Sequence, residues 1–381
     1  MRLTRLRLRS FRAHGATEVE LAAGVNLFAG PNGAGKTNLL EAIHYLSLGK
    51  SFLTSTDAHV VQRGEPHFEI EGTFEGERRS SFKVKVVVQP GEGKRAFVNG
   101  SALDRLADLV GQVPTVVISP ADSELTAGGP SERRRFLDTT LSQSYPVYLD
   151  DLIKYRRALR QRNALLQSVR RGKALAPGTM DAWDEELAVL GSRIIERRAS
   201  FLDGFSGRLA EAFELLKAVG EVPSLTYAPS VEGEDVTEAF RQTIKRRSRR
   251  ERDLGRTLVG PHLDEVVFQL DGFDLRPYAS QGQHRTFALA VRIAQALFFR
   301  DHLDETPILM LDDVFGPLDP ERADVVLALL AEQTLGQSLI TAARTEPFWD
   351  PVPFDLSDHA AFHVERGTAT LLSSIPTTSP T

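Results

Sequence analysis

The sequence contains no cysteine among its 381 residues, which excludes disulfide bonds and thiolate metal sites. It also lacks any apolar run approaching the roughly eighteen residues that a membrane-spanning helix needs. The N-terminal stretch has no hydrophobic region of the kind that signal peptides carry. These absences lead us to expect a soluble, cytoplasmic protein.

The remaining composition is that of an ordinary globular protein with room for two domains. Hydrophobic residues make up 41% of the chain and charged residues 25%. The formal net charge of −5 argues weakly against a nucleic-acid ligand. The charges are unevenly placed, however, and local patches decide such binding more than the total charge does.

A glycine-rich stretch matches the phosphate-binding pattern G-x-x-x-x-G-K-[ST] without a substitution. A short apolar segment, Val25–Phe28, precedes it and predicts a strand, and a helical pattern follows it. A phosphate-binding loop lies between such a strand and such a helix. Glycines let backbone amides turn towards a polyphosphate at the positive end of that helix. Lys36 is predicted to reach the β- and γ-phosphates, and the Thr37 hydroxyl to bind Mg²⁺. The predicted nucleotide-binding residues are Gly30, Pro31, Asn32, Gly33, Ala34, Gly35, Lys36, Thr37 and Asn38.

Segments with strand character flank this loop. Residues 2–12 alternate arginine with apolar side chains, which predicts a half-buried strand with one basic face, either solvated or facing DNA. Phe68–Phe74, Phe82–Val88 and Arg95–Val98 are separated by turns and predict an antiparallel region. Val113–Ile118 is a further apolar strand.

From about residue 131 to 220 the pattern becomes helical. Ser131 is the predicted N-cap of the first helix. Two runs with a 3-4 apolar spacing follow, joined by a turn at Ala176–Gly178, and they predict an antiparallel helical hairpin. The first run is interrupted at Arg162, which we group with the basic residues of its outer face. We expect this face to be solvated, and a surface for nucleic acid is the alternative.

A dense basic block lies between Arg241 and Arg256. So many like charges repel one another unless an anionic partner meets them, and a phosphate backbone is the commonest such partner. The block contains no aromatic residue, so we expect phosphate and shape recognition rather than base stacking. The predicted DNA contacts are Arg246, Arg247, Arg249 and Arg250.

Two later segments complete the predicted site. The apolar strand Ile308–Leu311 ends at Asp312, which is placed to serve the Mg²⁺ shell, and Asp313, which is placed to orient or deprotonate a water molecule. The stretch Ser280, Gln281, Gly282 and Gln283 precedes a helix and combines an N-cap serine with a small residue. Because the chain already has one phosphate loop, we expect this second anion site to meet the γ-phosphate held by another copy. A plain capped helix is the alternative.

The order of these motifs resembles that of the ABC-type ATPase heads of the SMC group, and within that group the RecF family of DNA repair ATPases. Further stretches that carry the resemblance are Leu48–Phe52, Ser119–Asp122, Glu132–Asp138, Arg160–Leu166, Gly260–His262, Tyr278–Arg285 and Gly316–Asp319.

The resemblance implies an α/β ATPase head with a mostly parallel sheet, an antiparallel lobe and an inserted helical arm. It implies a homodimer around two ATP molecules that holds DNA and acts with RecO and RecR in placing RecA on gapped DNA. Lys36, Asp312 and Asp313 take catalytic roles in this pattern. Ser280–Gln283 becomes a signature motif acting in trans, and Asp319 a dimer-interface residue.

Some positions depart from the pattern. Asp313 stands where the wider ABC group has glutamate, and its shorter side chain predicts slow hydrolysis. No histidine follows the strand Ser338–Thr341, and Thr341 is the nearest residue to that position. Leu263 replaces an arginine that usually follows Gly-Pro-His, and the glutamine of the Q-loop has no clear equivalent.

The predicted head comprises residues 1–130 and 255–381, and the predicted arm residues 131–254. The alternatives are a nucleotide-binding subunit of an ABC transporter and a small-molecule kinase with a phosphate loop. The transporter subunit needs a coupling surface that the long arm and basic block do not suggest. The kinase needs neither Ser280–Gln283 nor dimerisation.

Overall fold

The computed structural model describes residues 1–217, 220–316, 318–354 and 357–372. The tail predicted from Pro376 to Thr381 lies outside these residues. The strands are β1 (Arg2–Phe11), β2 (His14–Glu20), β3 (Val25–Ala29), β4 (Phe68–Glu75), β5 (Phe82–Gln89), β6 (Gly93–Val98), β7 (Ser101–Ala102), β8 (Thr115–Ile118), β9 (Pro223–Ala228), β10 (Glu265–Leu270), β11 (Phe273–Asp274), β12 (Ile308–Asp312), β13 (Ser338–Ala342), β14 (Ala360–Glu365) and β15 (Thr368–Leu371).

The α-helices are α1 (Lys36–Leu48), α2 (Ser123–Ala127), α3 (Pro130–Ser144), α4 (Pro146–Arg170), α5 (Asp181–Leu215), α6 (Val236–Leu254), α7 (Leu275–Tyr278), α8 (Gln281–Leu303), α9 (Pro320–Ala331) and α10 (Glu346–Trp349). None of the helices within the described residues has the length and apolar character that a membrane span requires.

The chain forms two compact units. The first comprises Met1–Asp122, Glu211–Val219 and Ala288–Thr381, and the second Ser123–Ala210 and Gly220–Phe287. Residues 123–130 and 255–287, which were predicted to be part of the head, thus cluster with the helical residues. The functional division into head and arm stays a prediction.

The first unit contains a mostly parallel sheet with the strand order β15-β14-β3-β13-β12-β8. Each neighbouring pair from β14 to β8 is parallel, and only β15 runs antiparallel. β3 is buried along its whole length, as its continuous apolar sequence predicts for a central strand. Because the strands are parallel, β3 and β12 end at the same edge of the sheet.

An antiparallel sheet with the order β2-β1-β4-β5-β6-β7 completes the first unit. Alternate residues of β1, β4 and β5 are buried and pack around α1 in one hydrophobic core that includes Leu6, Ile43 and Phe74. The predicted alternation of β1 is confirmed. Its arginine face, however, is balanced by acids: Arg5 and Arg7 pair with Glu18, and Arg7 also with Glu71.

The second unit combines the helices α3 to α6 with a small sheet of order β11-β10-β9. The helices α4 and α5 lie at the two predicted runs, with the turn at Gly178 between them. The N-cap prediction at Ser131 was wrong. The helix begins at Pro130, with Gly129 as N-cap. Proline is favoured at the first helical position because an N–H group there has no partner within the helix, so its absence costs nothing.

The placement of Arg162 on the basic outer face of its helix was also wrong. Its side chain is only 1% exposed, and its guanidinium contacts Asp184 at 2.6 Å and Glu251 at 2.7 Å. The interruption of the apolar pattern therefore marks a buried ion pair. A charge that finds acidic partners inside a fold cannot be told from a surface charge by periodicity alone.

The fold is α/β, with a mostly parallel sheet, an antiparallel lobe and an inserted helical part. This confirms the fold class expected from the sequence.

Candidate functional site

The phosphate loop is held close to β14 by its first glycine. A Cβ atom at Gly30 would come within 2.1 Å of the Val364 carbonyl oxygen, so a side chain cannot be accommodated there. The loop ends at Gly35, which has a φ of 106° and is the N-cap of α1 without a side-chain hydrogen bond. The first backbone N–H groups of α1 are therefore not capped by a side chain, and they can donate hydrogen bonds to a bound anion.

Lys36 lies at the start of α1 and folds back over the loop. Its Nζ atom donates to the carbonyl oxygens of Gly30 at 2.7 Å and Pro31 at 3.0 Å. Burial lowers the pKa of Lys36, and the negative charges of Asp313 and Asp312 act in the opposite direction. The loop thus holds a cationic group at its centre, where phosphate oxygens bind in proteins of this pattern.

Thr37 connects the loop to the acidic end of β12. Its hydroxyl donates to Asp312 Oδ1 at 2.7 Å across 275 residues of sequence. Asp313 follows, exposed to solvent and with a φ of 51°. The structure therefore brings together Lys36, Thr37 and Asp312, which the sequence analysis assigned to one site.

The oxygen atoms that the protein offers at this site suit Mg²⁺ better than a metal ion whose ligands must all come from the protein. Within the described part of the chain, no group of three or more acidic or histidine side chains is arranged to hold a metal ion. Thr37 and Asp312 offer one hydroxyl and one carboxylate. Magnesium commonly takes one or two protein oxygens and completes its shell with water and phosphate oxygens.

His14 supports the loop from β2, and it was not among the predicted site residues. The ring is fully buried, with Nε2 at 3.0 Å from the Gly35 carbonyl oxygen and Nδ1 at 3.0 Å from Thr17 Oγ1. Thr17 in turn donates to the Gly367 carbonyl oxygen at 2.8 Å. Nothing in the sequence signals this role, because a lone histidine in a strand has no distinctive spacing.

The start of α8 forms a capping box. The Gln283 amide donates to Ser280 Oγ at 3.2 Å, and the Ser280 amide donates to Gln283 Oε1 at 2.9 Å. The predicted N-cap at Ser280 is therefore confirmed. Ser280, Gln281 and Gly282 are exposed, and a Cβ atom at Gly282 would meet nothing closer than Ser280 Oγ at 3.8 Å. Packing within the chain does not require a glycine at that position.

Asp319 is the N-cap of α9. Its Oδ1 atom accepts from the Arg322 amide at 3.0 Å, and its side chain is exposed. The stretch that precedes it includes Pro317, which lies outside the described residues. The geometry gives Asp319 a capping role, and its predicted place at a dimer interface stays a prediction.

The predicted DNA contacts lie along α6. The side chains of Arg246, Arg247, Arg249 and Arg250 are all exposed. Arg247 also donates to the Leu258 carbonyl oxygen, so part of its role is local. Arg241 pairs with Glu185. Arg249 and Arg250 make no ion pair with any residue that the structure describes, and their charges remain exposed to solvent.

Several other motifs of the sequence form the polar interior of the second unit. Arg198 is buried and contacts Asp138 at 2.8 Å and Asp264 at 3.1 Å. Its Nη1 atom also donates to the Pro261 carbonyl oxygen, and the next residue, His262, contacts the Tyr155 hydroxyl at 2.7 Å. The stretches Glu132–Asp138 and Gly260–His262 therefore have a structural explanation.

The comparisons with known proteins agree with this geometry. Residues 2–350 match the family described as the RecF/RecN/SMC N terminal domain. The chain is also similar to a Smc head bound to the C-winged helix domain of ScpA, with a TM-score of 0.57 at 14% identity, which shows the shared fold alone. The fold and the phosphate-loop site define an ATPase head of the ABC and SMC class.

More similar relatives narrow this class. The chain is 49% identical over 377 residues to the DNA replication and repair protein RecF of Salinibacter ruber, covering 97% of this chain and 92% of that protein. It is 39% identical to RecF of Chloroherpeton thalassium, covering 91% and 96%. A solved structure of the recombination mediator protein RecF in the RecFOR pathway, bound to ATPrS, matches with a TM-score of 0.89 at 29% identity and covers 98% of both chains. The chain belongs to the RecF family.

Proposed function

We propose that this chain is an ATP-dependent DNA-binding protein of recombinational repair. On binding ATP and Mg²⁺, two copies associate and hold duplex DNA or a junction between single- and double-stranded DNA. Together with RecR and RecO it promotes the loading of RecA at gaps, and slow ATP hydrolysis resets it. The family assignment leaves the transporter-subunit and kinase alternatives without support.

The observation that carries the proposal is the assembly of Lys36, Thr37 and Asp312 at one edge of the parallel sheet. Lys36 and the amides of the loop bind and orient the phosphates. Thr37 and Asp312 hold Mg²⁺, which when bound neutralises charge that develops on the phosphate oxygens. RecF has been solved with ATP in a related structure, which supports the same ligand here.

The start of α8 supports a dimer in which each copy completes the site of the other. Ser280 and Gly282 are exposed at a helix N-terminus, and glycine is a poor helix former, which costs about 1 kcal/mol relative to alanine in a helix interior. Since packing within the chain does not demand Gly282, a close approach from outside the chain is the simplest reason for it. The N-terminal dipole and free amides suit the γ-phosphate held by the second copy.

Slow hydrolysis follows from the base that the chain offers. Asp313 is one methylene shorter than glutamate, which limits its reach towards a water molecule. We therefore assign ATP the role of a switch between a monomer with weak affinity for DNA and a dimer that grips it. This role, the partners RecR and RecO and a cytoplasmic location belong to the proposal.

The exposed arginines of α6 provide the DNA contact. The test compares wild type with the double variant Arg249→Glu and Arg250→Glu in DNA binding, with ATP and Mg²⁺, over a range of salt concentrations. The matched control is Arg63→Glu with Arg95→Glu, which changes the net charge equally at two exposed arginines of the first unit.

We expect the α6 variant to lose about tenfold or more in affinity, and its log–log salt slope to fall by about 2, since two phosphate contacts are removed. The control should bind like wild type. If both variants bind equally well, α6 is not the DNA surface. If wild type itself ignores DNA at low salt in the presence of ATP, the assignment to DNA repair is wrong.

A further inference from the structure

Thr341, at the end of β13, contacts both acidic residues of the candidate site. Its hydroxyl donates to Asp312 Oδ1 at 2.8 Å. The Thr341 hydroxyl oxygen also accepts a hydrogen bond from the Asp313 amide at 3.0 Å. Thr341 is only 1% exposed, so its hydroxyl is shielded from water.

The first of these bonds fixes the orientation of Asp312. Oδ1 receives two hydroxyl donors, Thr37 of α1 at 2.7 Å and Thr341 of the neighbouring strand β13 at 2.8 Å. Oδ2 makes no hydrogen bond with any described residue. The carboxylate is therefore held in one rotamer, with its second oxygen left as the acceptor for a cation.

The second bond fixes the backbone of Asp313. This residue has a φ of 51°, a left-handed conformation that costs an L-residue roughly 1–2 kcal/mol. Such a conformation persists only where the surroundings determine it. The Thr341 oxygen accepts the Asp313 amide and thereby holds the residue that follows the strand in this geometry.

We infer that Thr341 is a positioning residue that sets Asp312 for the cation and Asp313 for the water molecule through one hydroxyl group. This inference rests on the proposed ATPase function and adds a residue to its machinery. A hydroxyl is required because a single atom must donate in one direction and accept in the other. Serine retains this capacity, whereas valine has the shape of threonine without it.

The test measures ATP affinity by calorimetry with and without Mg²⁺, and kcat and KM for ATP, in wild type, Thr341→Val and Thr341→Ser. Thr341→Ala is a second variant without the hydroxyl, in case valine disturbs folding, and thermal unfolding checks all variants.

We expect Thr341→Val and Thr341→Ala to bind metal-free ATP like wild type. The gain in affinity that Mg²⁺ provides should fall about tenfold, and kcat about tenfold or more with a smaller change in KM. Thr341→Ser should stay near wild type.

Two outcomes overturn the inference while wild type hydrolyses ATP. One is an unchanged Mg²⁺ effect and kcat in Thr341→Val and Thr341→Ala. The other is a loss in Thr341→Ser as large as in Thr341→Val, which assigns the effect to packing of the methyl group. If wild type neither binds nor hydrolyses ATP, the proposed function itself fails, and this inference fails with it.

Discussion

At the scale of single residues, buried arginines pair with the acidic side chains in the interior of the second unit. Arg162 contacts Asp184, Glu251 and Thr257, and Glu251 is completely buried. A buried ion pair contributes little net stability, but removing one partner leaves an uncompensated charge. The sequence could not reveal this, because Asp184 and Glu251 lie far from Arg162 along the chain and only the fold brings them together.

We predict that Arg162→Met lowers the free energy of unfolding by roughly 3–5 kcal/mol, because Glu251 then keeps a buried charge without its cation. Arg160→Met changes an exposed arginine two residues away on the same helix, and we expect an effect within about 0.5 kcal/mol. Thermal or urea unfolding followed by circular dichroism measures both. Equal stability of the two variants contradicts the structural role of the Arg162 pair.

At the scale of elements, the sequence predicted those parts whose pattern is local. The phosphate loop, β3, α1, β12 and β13 were found because a motif or a continuous apolar run marks each of them. The strands β14 and β15 and the helix α9 were missed, since short or mixed segments gain their structure from neighbours. The hydrogen bond from Thr37 to Asp312 joins residues 275 positions apart. It was predictable only because β3 and β12, as strands of one parallel sheet, end at the same edge.

The loop offers a test of its packing against β14. We predict that Gly30→Ala weakens ATP binding about tenfold or more, because a Cβ atom 2.1 Å from the Val364 oxygen forces the loop to move. Gly33→Ala is the matched control. A Cβ atom there meets nothing within 4 Å, although a φ of 80° still imposes some strain. A fluorescent ATP analogue reports both affinities, and a smaller loss for Gly30→Ala than for Gly33→Ala contradicts this account.

At the scale of the whole molecule, buried and half-buried histidines make stability depend on pH. Burial lowers the pKa of His44 to about 4 and that of His262 to about 4. Both side chains are neutral in the folded protein, whereas the unfolded chain takes up protons near the ordinary pKa of about 6.5. The unfolded state therefore binds more protons as the pH falls below about 6.5, and stability is lost in that direction.

We predict that each of these two histidines lowers the free energy of unfolding by about 2 kcal/mol between pH 7.5 and pH 5. The measurement is the unfolding midpoint across this range for wild type and His44→Asn, whose amide can still donate to the Lys50 carbonyl oxygen that His44 contacts. The variant should lose less stability on acidification than wild type. An equal loss in both proteins shows that His44 is not responsible.

The central claim is that ATP joins two copies of this chain through Ser280–Gln283. Its most direct test is the mass of the protein in solution, measured for wild type, Lys36→Met and Ser280→Arg with and without ATP and Mg²⁺. We predict that only wild type with ATP doubles its mass, and that Ser280→Arg still binds ATP but stays monomeric. If Ser280→Arg forms the ATP-dependent dimer as readily as wild type, the start of α8 is merely a capped helix and the claim is wrong.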